Sequence, residues 1–96
     1  MAHLTLSPGA ESNLTRIFEF YASEDPALAI RVVTYIRSYL NELRSSPEIG
    51  RRVEESFREL VIPFGKTGFV ALYDYNSKSD LIHIASVRHQ REAGYR

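Results

Sequence analysis

Arg88, His89 and Arg91 stand close together near the end of the chain, and Tyr95 follows four residues later. Arg58 and Lys66 lie upstream in a neighbouring apolar stretch. These are the residues whose types and spacing could do chemistry. Metal-independent RNA cleavage needs a base for the ribose 2′-hydroxyl, cations for the charged phosphorane, and an acid for the leaving oxygen. His89 could be that base or acid, Arg88 and Arg91 the charge stabilisers, and Tyr95 an acid or a ring on which a nucleobase stacks. The same side chains could instead anchor a protein interface, where Arg and Tyr dominate hot spots. They could also be no more than a solvated tail, because mixtures of Arg and Glu are common on protein surfaces.

Other chemistries are poorly served. The glycines are too few and scattered for a phosphate loop or a dinucleotide fingerprint, and there is no nucleophile elbow. His3, His83 and His89 lack metal-ligand spacing, and no carboxylates stand at matching offsets. No metal and no cofactor is expected. An isolated His83 inside an apolar run reads as a structural residue.

Net charge is zero, from 12 acids and 12 bases. That weighs against a protein whose affinity comes from neutralising many phosphates, and direct DNA binding by the chain alone is not expected. The second half is the more basic: residues 51–96 carry six Arg, two Lys and six acids, against four Arg and six acids in residues 1–50. An anionic partner would meet that half. The apolar content of 44% is that of a single globular domain over residues 1–96. With no cysteine there are no disulfides, and a reducing cytoplasm is permitted. No apolar run reaches the roughly 18 residues of a spanning helix, so no membrane role is expected.

The elements that would position the cationic cluster follow from periodicity. His3 to Ser7 alternates as a short strand with Leu4 and Leu6 inward. Ser7-Pro8 is a cap-then-proline start, and Ala10, Leu14, Ile17, Phe18 and Tyr21 make one face of a helix to about Ala22, with Arg16 and Glu19 on the other side. Asp25-Pro26 repeats the signal. A second helix runs to about Arg44 on Ala29, Val33, Ile36, Leu40 and Leu43, and the short link makes the pair antiparallel. Pro47 ends it, and residues 48–56 read as a loop. Three strands follow. In the first, Arg58, Leu60, Ile62 and Phe64 share a face, and Pro63 predicts a strand that lies at an edge or ends early. The second, Phe69 to Tyr75, is apolar on both faces, as a strand covered by a partner would be. The third, Leu81 to Arg88, closes the meander. The expected fold is α+β, with two antiparallel helices on one face of an antiparallel sheet. Its expected core is Leu6, Leu14, Ile17, Val33, Ile36, Leu40, Leu60, Leu72 and Ile84.

Five stretches carry a resemblance: Ala10, Leu14, Ile17 and Tyr21; Pro47, Gly50 and Arg51; Phe57, Arg58 and Leu60; Gly68-Phe69-Val70-Ala71-Leu72-Tyr73; and Ile84, Val87-Arg88-His89-Gln90-Arg91-Glu92. In this order they resemble the RelE/ParE superfamily of toxins from bacterial type II toxin–antitoxin pairs, known from plasmid stabilisation. The resemblance implies growth arrest and a cognate antitoxin that wraps and masks the toxin. It implies one of two targets: DNA gyrase, blocked by protein binding, or mRNA on the ribosome, cut by an endoribonuclease. The mRNA-cutting members usually carry an Arg in the middle strand, where this chain has Val70, and a basic pair in the preceding strand, where Glu59 to Ile62 follow Arg58. The neutral charge points the same way. The gyrase reading is therefore favoured, with Arg58, Lys66, Arg88, His89, Arg91 and Tyr95 as target- or antitoxin-binding residues. On the RNase reading His89, Arg88, Arg91, Tyr95 and Arg58 would be catalytic. A scaffold that poisons nothing and only binds its antitoxin is the third reading. The antitoxin is expected to lie across the apolar outer surface of the sheet, its acids meeting Arg88 and Arg91.

Overall fold

A computed structural model describes residues 1–93. Strand β1 is His3–Leu6, followed by helices α1 (Pro8–Ala22) and α2 (Pro26–Glu42). Four strands come next: β2 (Arg51–Glu54), β3 (Phe57–Phe64), β4 (Thr67–Asn76) and β5 (Leu81–His89). A single turn of helix, α3 (Gln90–Ala93), follows β5. The sheet order is β1-β5-β4-β3-β2, with β1 parallel to β5 and the rest an antiparallel meander.

Both helices start as their caps dictate. The Ala10 amide donates to Ser7 Oγ at 2.9 Å, and the Ala27 amide to Asp25 Oδ1 at 3.0 Å. Proline occupies the first helical position in each, where its missing N–H costs nothing. The Ser7 hydroxyl also donates to the Ala85 carbonyl of β5 at 2.9 Å. Ser7→Ala therefore loses a cap and a tertiary tie together. A cost of about 1–2 kcal/mol is expected, read as a fall in Tm of about 5–10 °C in a calorimetric scan.

Three expectations are corrected. The segment read as a loop over residues 48–56 contains β2, whose Arg51 and Arg52 pair with Glu59 and Arg58 of β3, so the meander has four strands and the sheet five. Two arginines and a glutamate hide a strand because neither face of β2 is deeply buried. On α2 the helix turns Val32, not Val33, into the core, with Ala29, Ile36, Leu40 and Leu43 as expected. The spacing three-four-four-three satisfies the same helical stripe, so apolarity alone could not choose between adjacent valines. Leu72 lies on the sheet face away from the helices, where it is half-buried. Leu14, Ile36, Leu40 and Ile84 are buried, while Leu6, Ile17 and Leu60 pack half-buried against the core.

β-strand alternation fixes which side chains meet the helices. Ile62, Phe69, Ala71, Tyr73, Ile82, Ile84 and Val87 are all buried in the common core. Ile84 and Val87 are three apart, which alternation alone forbids. The reason is a bulge: Leu72 pairs with Ser86 but Tyr73 pairs with Ile84, leaving Ala85 extra. The Ala85 carbonyl takes the Ser7 hydroxyl, and the Val87 amide donates to Asn13 Oδ1 at 3.0 Å. Helix α1 thus holds the bulge in place.

Candidate functional site

The bulge decides where the cationic residues go. Before it, even-numbered residues of β5 face the helices; after it, odd-numbered ones do. His89 therefore turns toward α1 and Arg88 turns to the opposite face, paired with Val70 of β4. An uninterrupted strand would have done the reverse.

His89 ends in a cleft of about 420 Å³ between α1 and the end of the sheet. Helix α1 supplies Asn13, Arg16, Ile17, Phe20 and Tyr21; β4 and β5 supply Phe69, Val87 and His89; α3 supplies Arg91. The floor is apolar, and among the described residues the rim carries two guanidiniums and no carboxylate. The His89 ring stands edge-on to Phe69, centroids 5.5 Å apart. Its Nδ1 accepts the Arg91 amide at 3.3 Å. The neutral ring then carries its proton on Nε2, which lies 3.2 Å from Thr67 Oγ1 and donates to it. The ring is oriented by three neighbours, and both nitrogens are engaged with protein atoms.

Arg91 shares the cleft with His89, and the other described candidates do not join them. Arg88 is exposed on the far face of the sheet. Arg58 pairs with Tyr73, four residues along β4 from Phe69, roughly 13 Å at the rise of a strand. There Arg58 Nη1 donates to the carbonyls of Glu48 and Gly50 at 2.9 and 2.8 Å, and its side chain is 17% exposed. It is a strut for the loop that leads into β2. Lys66 is exposed in the β3–β4 turn next to Thr67. Tyr95 lies outside the described residues. Among the described residues no three His, Asp or Glu side chains gather as a metal would require. The cationic cluster read from the sequence is thus divided among the cleft, the opposite sheet face and a structural loop.

Two residues of the cleft wall escaped sequence reading. Arg16 was placed on the polar side of α1, yet that side forms the cleft wall. Phe20, 70% exposed, stands beside it. Their signal was present, since residues 13, 16, 17, 20 and 21 make a stripe at helical spacing.

The far face of the sheet carries an apolar strip of Val61, Val70 and Leu72. Arg51 and Glu59 form an ion pair beside it at 2.8 Å, with the Glu59 side chain 9% exposed and Arg51 73% exposed. His83 Nδ1 lies 4.0 Å from Asp74 Oδ2, and both are partly exposed. His83, expected to be structural, is at the surface of this face.

Comparison with known proteins agrees with the fold. Toxin RelE3 of Caulobacter vibrioides is 32% identical over 92 residues, 96% of this chain and 98% of that protein. Toxin RelE1 of the same organism is 29% identical over 87 residues, 91% of each. The chromosomal ParDE toxin–antitoxin system of P. aeruginosa contains a chain that superposes with a TM-score of 0.76 at 22% identity, covering 93% of this chain and 96% of that one. A chain of the intact E. coli RelBE toxin–antitoxin complex superposes at 0.63 with 13% identity, covering 92% and 95%. The family model described as "ParE toxin of type II toxin-antitoxin system, parDE" matches residues 4–94. With that match over nearly its whole length, the chain belongs to the ParE toxin family of type II toxin–antitoxin systems.

Proposed function

We propose that this toxin arrests growth by binding protein, with DNA gyrase as its target, and that it does so through the α1–β5 cleft. The observation that supports this reading is the dispersal of the cations. RNA cleavage needs a base, an acid and charge stabilisers within reach of one phosphate. Here Arg88 faces away, Arg58 holds loop carbonyls, and both His89 ring nitrogens are engaged by Arg91 and Thr67. Val70, 9% exposed, occupies the middle-strand position of an arginine in the mRNA-cutting members. An apolar floor rimmed by Arg16 and Arg91 is a protein-binding surface in character, since arginine at the edge of an aromatic pocket is a typical anchor.

A cognate antitoxin is the second partner. The solved neighbours come from toxin–antitoxin systems of the ParDE and RelBE kinds. For this chain the far face of the sheet, with Val61, Val70 and Leu72 flanked by Arg88, is the surface an antitoxin with acidic side chains would cover. Contacts there are independent of the cleft.

Ribosome-dependent mRNA cleavage is the other reading. It is favoured by one feature, His89 in a cleft that also holds Arg16 and Arg91, and by the RelE names of the two Caulobacter relatives. His89→Gln distinguishes the two. Glutamine keeps a donor and an acceptor for Thr67 and for the Arg91 amide. In an induced-expression growth assay the variant should arrest cells within about threefold of the wild-type dose, because no proton transfer is lost. A loss of about 10²–10⁴ would mark His89 as a general acid or base and restore the RNase reading.

A further inference from the structure

We propose, resting on the reading of the α1–β5 cleft as the target-binding surface, that it recognises one aromatic side chain of the target held between two carboxylates. A run of rings lies along and behind the cleft. Phe20 stands edge-on to Tyr21 with centroids 5.1 Å apart, and Tyr21 edge-on to Phe64 at 6.1 Å. Phe64 lies 5.9 Å from Phe69, and Phe69 lies 5.5 Å from the His89 ring. The run reaches from the core to the surface: Phe69 is 1% exposed and Phe20 is 70% exposed. A phenyl ring left open at the mouth of an apolar cleft is a surface for a further ring, because edge-to-face pairs add to the stability of burial.

The rim supplies charge. Arg16 stands on α1 and Arg91 on α3, and both are exposed. Among the described residues the ion pairs engage Arg37, Arg51 and Arg58, and neither Arg16 nor Arg91 has one. Glu24, whose charge reaches the Tyr21 hydroxyl, is not in the lining of the cleft. The two guanidiniums belong to different elements, so two separate carboxylates satisfy them, one at each wall.

A nucleic acid would also bring rings and negative charge, but it fits less well. A base stacked here would bury its ring nitrogens and carbonyls against Ile17, Phe20 and Phe69, whose side chains offer no hydrogen bond. Of the polar groups in the lining, Asn13 Oδ1 holds the Val87 amide, and the His89 nitrogens face Arg91 and Thr67. A strand of phosphates also needs a track of cations, and this chain carries no net charge. A phenylalanine side chain has no polar atom to bury.

The test uses the purified toxin and the peptide acetyl-Glu-Ser-Phe-Ser-Glu-amide, followed by amide NMR. In an extended peptide residues two apart point the same way, so the ring and both carboxylates meet the cleft together. Saturable shifts at Phe20, Tyr21 and His89 are expected. Replacing the phenylalanine of the peptide by alanine should weaken binding at least about tenfold, the loss of a buried aromatic side chain. Replacing both of its glutamates by lysine should abolish the shifts, because like charges then meet at the rim. Toxin carrying Arg16→Ala and Arg91→Ala should bind the original peptide about tenfold more weakly. The peptide series keeps the test on the unaltered protein if that variant folds poorly. Gyrase supercoiling is read separately. Toxin that binds the peptide yet leaves supercoiling untouched supports this chemistry and removes gyrase as the target. Toxin that stops supercoiling yet ignores the peptide overturns this chemistry alone. No shift in the cleft up to about 5 mM peptide, shifts confined to Val61, Val70 and Leu72, equal binding of the alanine peptide, or tighter binding of an oligouridylate at the same residues would each overturn the proposal.

Discussion

Gly50→Ala is expected to cost about 3 kcal/mol and to lower Tm by roughly 12–20 °C. A Cβ at this position would stand 2.6 Å from the Tyr73 hydroxyl, 2.7 Å from its ring and 2.8 Å from the Glu59 carbonyl. None of the three can move without loss. The Tyr73 hydroxyl accepts the Gly50 amide at 2.9 Å and donates to the Pro47 carbonyl at 2.8 Å, in a residue with no exposed surface. Displacing it would orphan two groups, each worth about 1–3 kcal/mol when buried unpaired. Against a total of roughly 5–15 kcal/mol for a small domain, that is a large share. Burial pushes the Tyr73 hydroxyl above its ordinary value of 10.0, outweighing the Gly50 amide and Arg58, which both pull it down. A raised phenol stabilises the fold below pH 10, and that contribution drains away as pH climbs beyond it. Tyr73→Phe dissects the effect: in that background Gly50→Ala should cost less than alone, because the nearest clash is gone. A melting temperature for Gly50→Ala within about 2 °C of wild type would contradict this account of the loop.

The two helices and four of the five strands were legible in the sequence because each is written locally. Ser7-Pro8 and Asp25-Pro26 mark starts, and apolar residues at helical spacing mark faces. The edge character of Pro63 was also legible, and the structure leaves that end of β3 without a second neighbour. Strand β2 was not, because nothing in Arg51-Arg52-Val53-Glu54 alternates in apolarity and only its pairing with β3 makes it a strand. The site was the least legible part. A single extra residue, Ala85, exchanges the faces of everything after it. Whether Arg88 or His89 meets α1 therefore depends on contacts from Ser7 and Asn13, more than 70 residues earlier. No pattern within 88–91 records that. For the same reason Arg16 looked like a solvated residue until the other wall of the cleft was present.

The second large effect follows from that division. Arg16→Ala together with Arg91→Ala should abolish growth arrest at expression levels where the wild type is lethal. Each removes a rim cation from the cleft, and loss of an interface anchor of this kind weakens binding roughly 10- to 30-fold. Both side chains are exposed and neither belongs to a strand ladder, so folding should be unaffected and the melting temperature unchanged. Arg88→Ala is the matched control. It removes one such charge from the opposite face, and arrest should persist while binding of the antitoxin weakens. If Arg88→Ala abolished arrest and the Arg16–Arg91 pair did not, the target surface would be the far face of the sheet.

The most direct measurement is the purified toxin added to gyrase supercoiling a relaxed plasmid and, in parallel, to ribosomes translating a defined mRNA. The account predicts that wild-type toxin stops supercoiling, that the Arg16→Ala, Arg91→Ala protein does not, and that the mRNA stays intact in both. Cuts in the mRNA at ribosome-positioned codons, with supercoiling untouched, would contradict it and return His89 to the centre of a catalytic mechanism.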